Sequence, residues 1–233
     1  MQPMCANYAP TRPDRLRAVF GVSPEREDYV EDGYPGHVAP IIIGAGPARH
    51  AELAVFGLIP PWSRDGKNFR QCYNARSESV ADKPSFRHAW TTRQWCVVPA
   101  DAFYEPNYET GKAVRWRIEP AGDEPLAIAG IWERWRAPTG QWTTSFSMLT
   151  INADAHPLMS RFHAPGDEKR SVVLLEPARI DDWLGADLEP AASRAAMPDP
   201  FGAADLAARA RSYLDGNCAH CHMTGGYASQ SAL

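Results

Sequence analysis

The sequence predicts an α+β domain built on a mostly antiparallel, barrel-like sheet with a few short helices. Three observations carry this. Apolar runs of five to ten residues recur along the chain, each closed by proline, glycine or a polar cluster. Helical periodicity is confined to short stretches between them. A chain of 233 residues with 44% hydrophobic content can bury one sizeable core.

Taken in order, T-R-P-D-R-L-R-A-V-F-G (Thr11 to Gly21) reads as a short helix, with Pro13 near its first position and Gly21 at its end. P-I-I-I-G (Pro40 to Gly44) suits a buried strand, and A-E-L-A-V-F-G-L-I-P (Ala51 to Pro60) another, stopped by Pro60 and Pro61. S-V-A-D-K-P-S-F-R-H-A-W (Ser79 to Trp90) reads as helical, interrupted or begun afresh at Pro84. Strands are expected at Q-W-C-V-V-P (Gln94 to Pro99), A-V-R-W-R-I (Ala113 to Ile118), L-A-I-A-G-I-W (Leu126 to Trp132), T-T-S-F-S-M-L-T-I (Thr143 to Ile151) and S-V-V-L-L (Ser171 to Leu175). The predicted division is one domain over residues 1–190 and an Ala-rich tail over 191–233. That tail holds a helical stretch and C-A-H-C-H (Cys218 to His222).

The formal net charge is −4, which does not announce a nucleic-acid binder. From Trp62 to Arg117, however, ten Lys and Arg stand against six Asp and Glu, so one stretch is basic within an acidic chain. No run of eighteen apolar residues and no signal-peptide core occurs, and the expectation is a cytoplasmic protein, likewise without a disulfide framework among its five cysteines.

Four stretches surround a reactive side chain with residues that fix the backbone: M-C-A-N-Y at Cys5, Y-N-A-R-S-E at Asn74, V-P-A-D-A-F-Y-E at Glu105 and S-R-F-H-A-P-G-D-E-K-R at His163. Singly, each has an ordinary reading: a small buried thiol, a turn amide, a surface carboxylate, a satisfied loop histidine. A cysteine directly after Met4 raises a further possibility. Were Met4 the initiator, its removal would leave Cys5 with a free α-amine beside its thiol.

Together, M-C-A-N-Y, P-P-W (Pro60 to Trp62), N-A-R-S-E-S from Asn74, K-P-S-F-R from Lys83 and C-V-V-P-A-D-A-F-Y-E (Cys96 to Glu105) resemble the motifs of the SOS response-associated peptidase (SRAP) family over Met4 to Leu184. The resemblance implies a monomeric protein without a cofactor or metal that binds single-stranded DNA and captures abasic sites as a covalent crosslink, and so associates with the nucleoid when bound to DNA. Cys5 would supply amine and thiol, Asn74 would hold the N-terminal residue and the sugar by hydrogen bonds, Glu105 would manage protons at the amine, and His163 would act at the sugar-ring oxygen or a phosphate. Trp62 would stack on a base, its ordinary alternative being a core aromatic, and Arg76 would contact phosphate. Three departures stand out. The family's Gly-Arg after the cysteine is Ala6-Asn7, the tryptophan after the glutamate is Pro106, and residues A-P-G-D-E-K-R lengthen the segment behind His163, which leaves His156 as an alternative. M-Q-P before Met4, if retained, would cap the amine. The rival reading is a cysteine-type peptidase acting on itself or other proteins, with Cys5 as nucleophile and His163 as base. C-A-H-C-H has the spacing of a c-type haem attachment site but no other support for one, and the tail is expected to be non-functional.

Overall fold

The structure is a computed structural model that describes residues 6–185. Its short first strand, β1 (Tyr8–Pro10), leads into helix α1 (Pro13–Phe20). Pro13 begins the helix where its missing N–H costs nothing. Gly21 ends it in the left-handed region (φ 70°), donating its N–H to the Arg17 carbonyl at 3.2 Å. Leu16 and Phe20 form the apolar face and pack with Ile42, Val97 and Ala127.

Three long strands and two shorter ones form the frame: β2 (Val38–Ile43), β3 (His50–Phe56), β5 (Trp95–Asn107), β7 (Leu126–Arg136) and β8 (Trp142–Asn152). They pair in the cycle β5-β2-β3-β8-β7 and back to β5, a closed five-strand barrel. An odd ring cannot alternate strand direction all the way round, so at least one neighbouring pair must be parallel. That pair is β3 with β8, where Val55 lies opposite Ser145; the other four are antiparallel. The remaining strands hang on this ring. β4 (Asn74–Arg76) and β9 (Arg170–Val172) flank β8, β6 (Val114–Ile118) and β1 flank β5, and β10 (Leu174–Leu175) flanks β7.

The barrel is filled by residues that alternate inward. Tyr8, Phe56 and Phe146 meet ring to ring, with Phe56 and Phe146 stacked at 5.2 Å, and Phe103, Phe162 and Met148 join them. Each fully buried ring of this kind contributes about 1.5–3 kcal/mol.

Two readings differ from what is observed. Ser79 to Trp90 is mostly a series of turns, and helix α2 spans only Arg87–Thr91. Pro84 is one reason: the residue before a proline is pushed out of the helical region. β5 also runs on through Pro99 to Asn107, whereas the sequence ended it at Pro99. The Pro99 carbonyl accepts from Thr11, so the residue still serves the sheet through the group it retains. A last helix, α3 (Ile180–Gly185), sets Trp183 against the barrel, its Nε1 donating to the Cys96 carbonyl at 2.9 Å.

Candidate active site

The second half of β5 carries alternating faces: Phe103 and Glu105 point the same way as the barrel core, Tyr104 the other. Glu105 is therefore buried, at 1% exposure, rather than the surface carboxylate that the motif alone would allow. A buried charged carboxylate is costly unless something faces it. Facing it is His163, 6% exposed, whose Nε2 lies 3.0 Å from Oε2 of Glu105. The approach is close, yet the two atoms do not form an aligned hydrogen bond, and the buried Nδ1 of His163 has no partner among the described residues. Apo acid–base sites commonly show this looseness and tighten only around a bound reactant.

Local chemistry explains how His163 arrives. Phe162 is sunk in the core, and its backbone bridges to Asn107 at the end of β5. The Asn107 amide donates to the Arg161 carbonyl at 3.2 Å, and the His163 N–H to the Pro106 carbonyl at 2.9 Å. This strapping holds His163 at φ 64°, a left-handed conformation uncommon for any residue but glycine. Such a conformation costs on the order of 1–2 kcal/mol, and the surrounding bonds sustain it. Lys169 closes the segment by donating to the carbonyls of His163 (3.2 Å) and Ala164 (2.8 Å).

Asn74 and Arg76 lie on β4, opposite Met148 and Thr150 of β8. Arg76 is partly exposed and pairs with Glu168 at 2.8 Å. Glu168 also binds the fully buried Arg170, which clasps Glu78 at 2.5 and 2.9 Å. Burial alone would raise the carboxyls of Glu78 and Glu168, but hydrogen bonds from the Arg170 guanidinium bring both below the ordinary value. The A-P-G-D-E-K-R segment thus connects two predicted positions: Lys169 grips His163 while its neighbour Glu168 grips Arg76.

Trp62 is 56% exposed, its ring nitrogen bonded to the Pro84 carbonyl at 3.1 Å, so it is not a core aromatic. His156 serves locally, with Nδ1 accepting the N–H groups of Leu158 and Met159. It is His163, not His156, that meets Glu105. Cys5 and the C-A-H-C-H stretch lie outside the described residues. Among the described residues, no three His, Cys, Asp or Glu side chains converge as metal ligands would.

Sequence reasoning passed over a second group of residues. Trp116 stands opposite Glu105 in the β5–β6 register, with its ring 6.0 Å from Phe162 and the Arg161 guanidinium 5.6 Å from its centre. On the other face of the same strands, Arg115 lies over Tyr104 at 3.6 Å. The alternation of V-R-W-R-I was visible as a strand signal, but nothing in it says which strand it joins.

A closed mixed barrel whose longest strand sets a buried carboxylate against a buried imidazole brings two groups of opposite proton affinity together out of water. The chain belongs to the SOS response associated peptidase (SRAP) family, whose model matches residues 4–212. It is 30% identical over 168 residues to the abasic site processing protein YoqW of Bacillus subtilis, covering 72% of this chain and 71% of that one. It is 27% identical over 149 residues to the abasic site processing protein HMCES of Xenopus tropicalis, covering 55% of this chain and 43% of that one. Among solved structures, a Bordetella bronchiseptica protein superposes with a TM-score of 0.73 at 39% identity, over 78% of this chain and 89% of the other.

Proposed function

We propose that this chain processes abasic sites in single-stranded DNA by capturing them covalently through Cys5. The observation that carries the reading is the buried Glu105–His163 pair, in a family whose relatives include abasic site processing proteins.

An abasic deoxyribose opens to an aldehyde. The α-amine of an N-terminal Cys5 adds to that carbon, the carbinolamine loses water to give an imine, and the thiol adds across the C=N bond to close a thiazolidine. The thiol proton ends on nitrogen, and one water leaves. Thiol and amine belong to one residue, so ring closure is intramolecular, with effective molarities on the order of 10⁵ M or more. An α-amine titrates near about 7.7–8.0, so part of it is neutral at physiological pH.

Opening the sugar and expelling water need proton transfer. Here His163 donates and Glu105 accepts, each steadied by its neighbour. Asn74 holds the sugar, Arg76 meets a phosphate by exchanging Glu168 for it, and Trp62 offers a face for a base. In the sequence, Cys5 stands two residues before Asn7. Asn7 in turn is hydrogen-bonded to Tyr104, next to Glu105.

The test is intact mass after incubation with an abasic single-stranded oligonucleotide. The expected product weighs protein starting at Cys5 plus DNA less one water, and Cys5→Ala gives no stable adduct. No adduct from the wild type, or equal yield from Cys5→Ala, overturns the proposal.

A further inference from the structure

Asn7 is buried, and its side chain is held from three sides. Its amide nitrogen donates to Asp32 Oδ1 at 3.3 Å and to the Gly33 carbonyl at 3.2 Å. Its amide oxygen accepts from Nη2 of Arg115. The same Nη2 reaches both carboxylate oxygens of Asp32, at 2.9 and 3.1 Å, and the guanidinium carbon lies over the Tyr104 ring, 3.6 Å from its centre. The backbone is held as firmly. Tyr8 exchanges both of its bonds with Gly33, at 3.1 and 2.7 Å, and the Asn7 carbonyl accepts from Tyr104. Gly33 is required there, since a Cβ would stand 2.8 Å from the Tyr8 ring. The beginning of β1 is thereby locked between β5 and the Asp32–Gly33 turn.

We propose that Arg115 and Asp32 are positioning residues for the capture reaction. They clamp Asn7, and through it fix the direction from which Cys5 meets the aldehyde beside Glu105 and His163. This rests on the covalent-capture reading above. Where the family motif has an arginine after Cys-Gly, this chain has Asn7, and a guanidinium reaches it from a neighbouring strand instead. A planar guanidinium suits the place: it lies over the Tyr104 ring while Nη2 at its edge serves Asn7 and Asp32 together, an arrangement that a compact, strongly hydrated ammonium reproduces poorly.

The clamp and a plain phosphate contact make opposite predictions. Arg115→Lys keeps the charge but loses the planar group over Tyr104 and the reach of Nη2 to both partners. Asp32→Asn removes a negative charge, which favours DNA binding, yet weakens the clamp. Both side chains are half-exposed, so both variants fold. Single-turnover crosslinking with saturating abasic oligonucleotide is measured beside affinity for the intact strand, reaction of the N-terminal cysteine with glyoxylate, and amide hydrogen exchange over residues 6–10. Misplacement by an ångström can cost about 100-fold, so both variants are expected to crosslink at least about tenfold more slowly. Asp32→Asn should bind intact DNA as well as wild type or better, glyoxylate should react unchanged, and exchange over residues 6–10 should quicken in both. Wild-type crosslinking by Arg115→Lys, or a faster rate for Asp32→Asn that follows its affinity, overturns the proposal. If wild type itself forms no adduct, the capture reading fails, and unchanged exchange in the variants would then overturn the clamp separately.

Discussion

Two histidine–glutamate pairs lie among the described residues, and they differ in what remains for them to do. His88 on α2 places Nδ1 2.5 Å from Oε2 of Glu133 on β7. Glu133 is buried and also accepts from Gln94 at 3.1 Å and from the Arg134 N–H at 3.0 Å, while His88 is 55% exposed. That pair is aligned and saturated, and water reaches one partner. In the Glu105–His163 pair both partners are buried, the contact is not aligned, and an imidazole nitrogen stays unsatisfied on a strained backbone. A carboxylate beside an imidazole is therefore not by itself a sign of catalysis. The pair whose imidazole keeps an unsatisfied nitrogen on a left-handed backbone is the one with capacity left for a reactant.

The sharpest way to break this contrast is to disable each pair in turn. Glu105→Gln and His163→Ala should slow single-turnover crosslinking by about 10²–10⁴-fold. His88→Ala should leave the rate as in wild type, and a comparable loss in that variant would erase the distinction. Next in size is the phosphate contact assigned to Arg76. Arg76→Ala should reduce the salt dependence of single-strand binding by about 0.7 in the log–log slope. An unchanged slope in salt titrations would remove Arg76 from the interface.

Stability should separate the pairs as well. His88→Ala loses a charge-assisted contact at a wet site, worth about 1 kcal/mol after screening, which for a chain of this size lowers Tm by about 2–4 °C. His163→Gly should melt higher than His163→Ala by about 1 kcal/mol, because glycine adopts φ 64° without penalty. Equal melting of those two variants would mean that the backbone there stores no strain.

The smallest effect concerns acid. Hydrogen bonds from Arg170 keep Glu78 and Glu168 below the ordinary glutamate value of 4.5, despite burial acting the other way. Their ionised forms favour the folded state, so this contribution is complete above that value and is lost as pH falls through their lowered values. Glu78→Gln with Glu168→Gln should flatten the decline of Tm below about pH 4.5. A decline as steep as in wild type would assign it to other carboxylates.

The sheet was largely legible, because apolar runs between proline and glycine are local signals. β1 and β4 were not, since three residues carry no periodicity and both strands exist only through partners far along the chain. The parallel contact of β3 with β8 was equally hidden, following from the parity of a closed ring rather than from any stretch of residues. At the site, the F-Y-E and R-F-H motifs pointed to Glu105 and His163, but not to their contact, which depends on Asn107 and Phe162 strapping two segments together. Arg115 and Asp32 escaped altogether. An exposed arginine on a short strand and an aspartate before a glycine look like ordinary surface until the fold sets them on either side of Asn7.

The pairing of Tyr8 with Phe103 also bears on biosynthesis. At about 5–20 residues per second, the ribosome needs roughly 5–20 s to extend the chain from the first of these residues to the second, and longer to deliver Arg115. Until then the leading segment has no strand to join and stays open to the enzymes that trim nascent chains. Removal of the residues that precede Cys5 would thus fall before the barrel draws β1 into place.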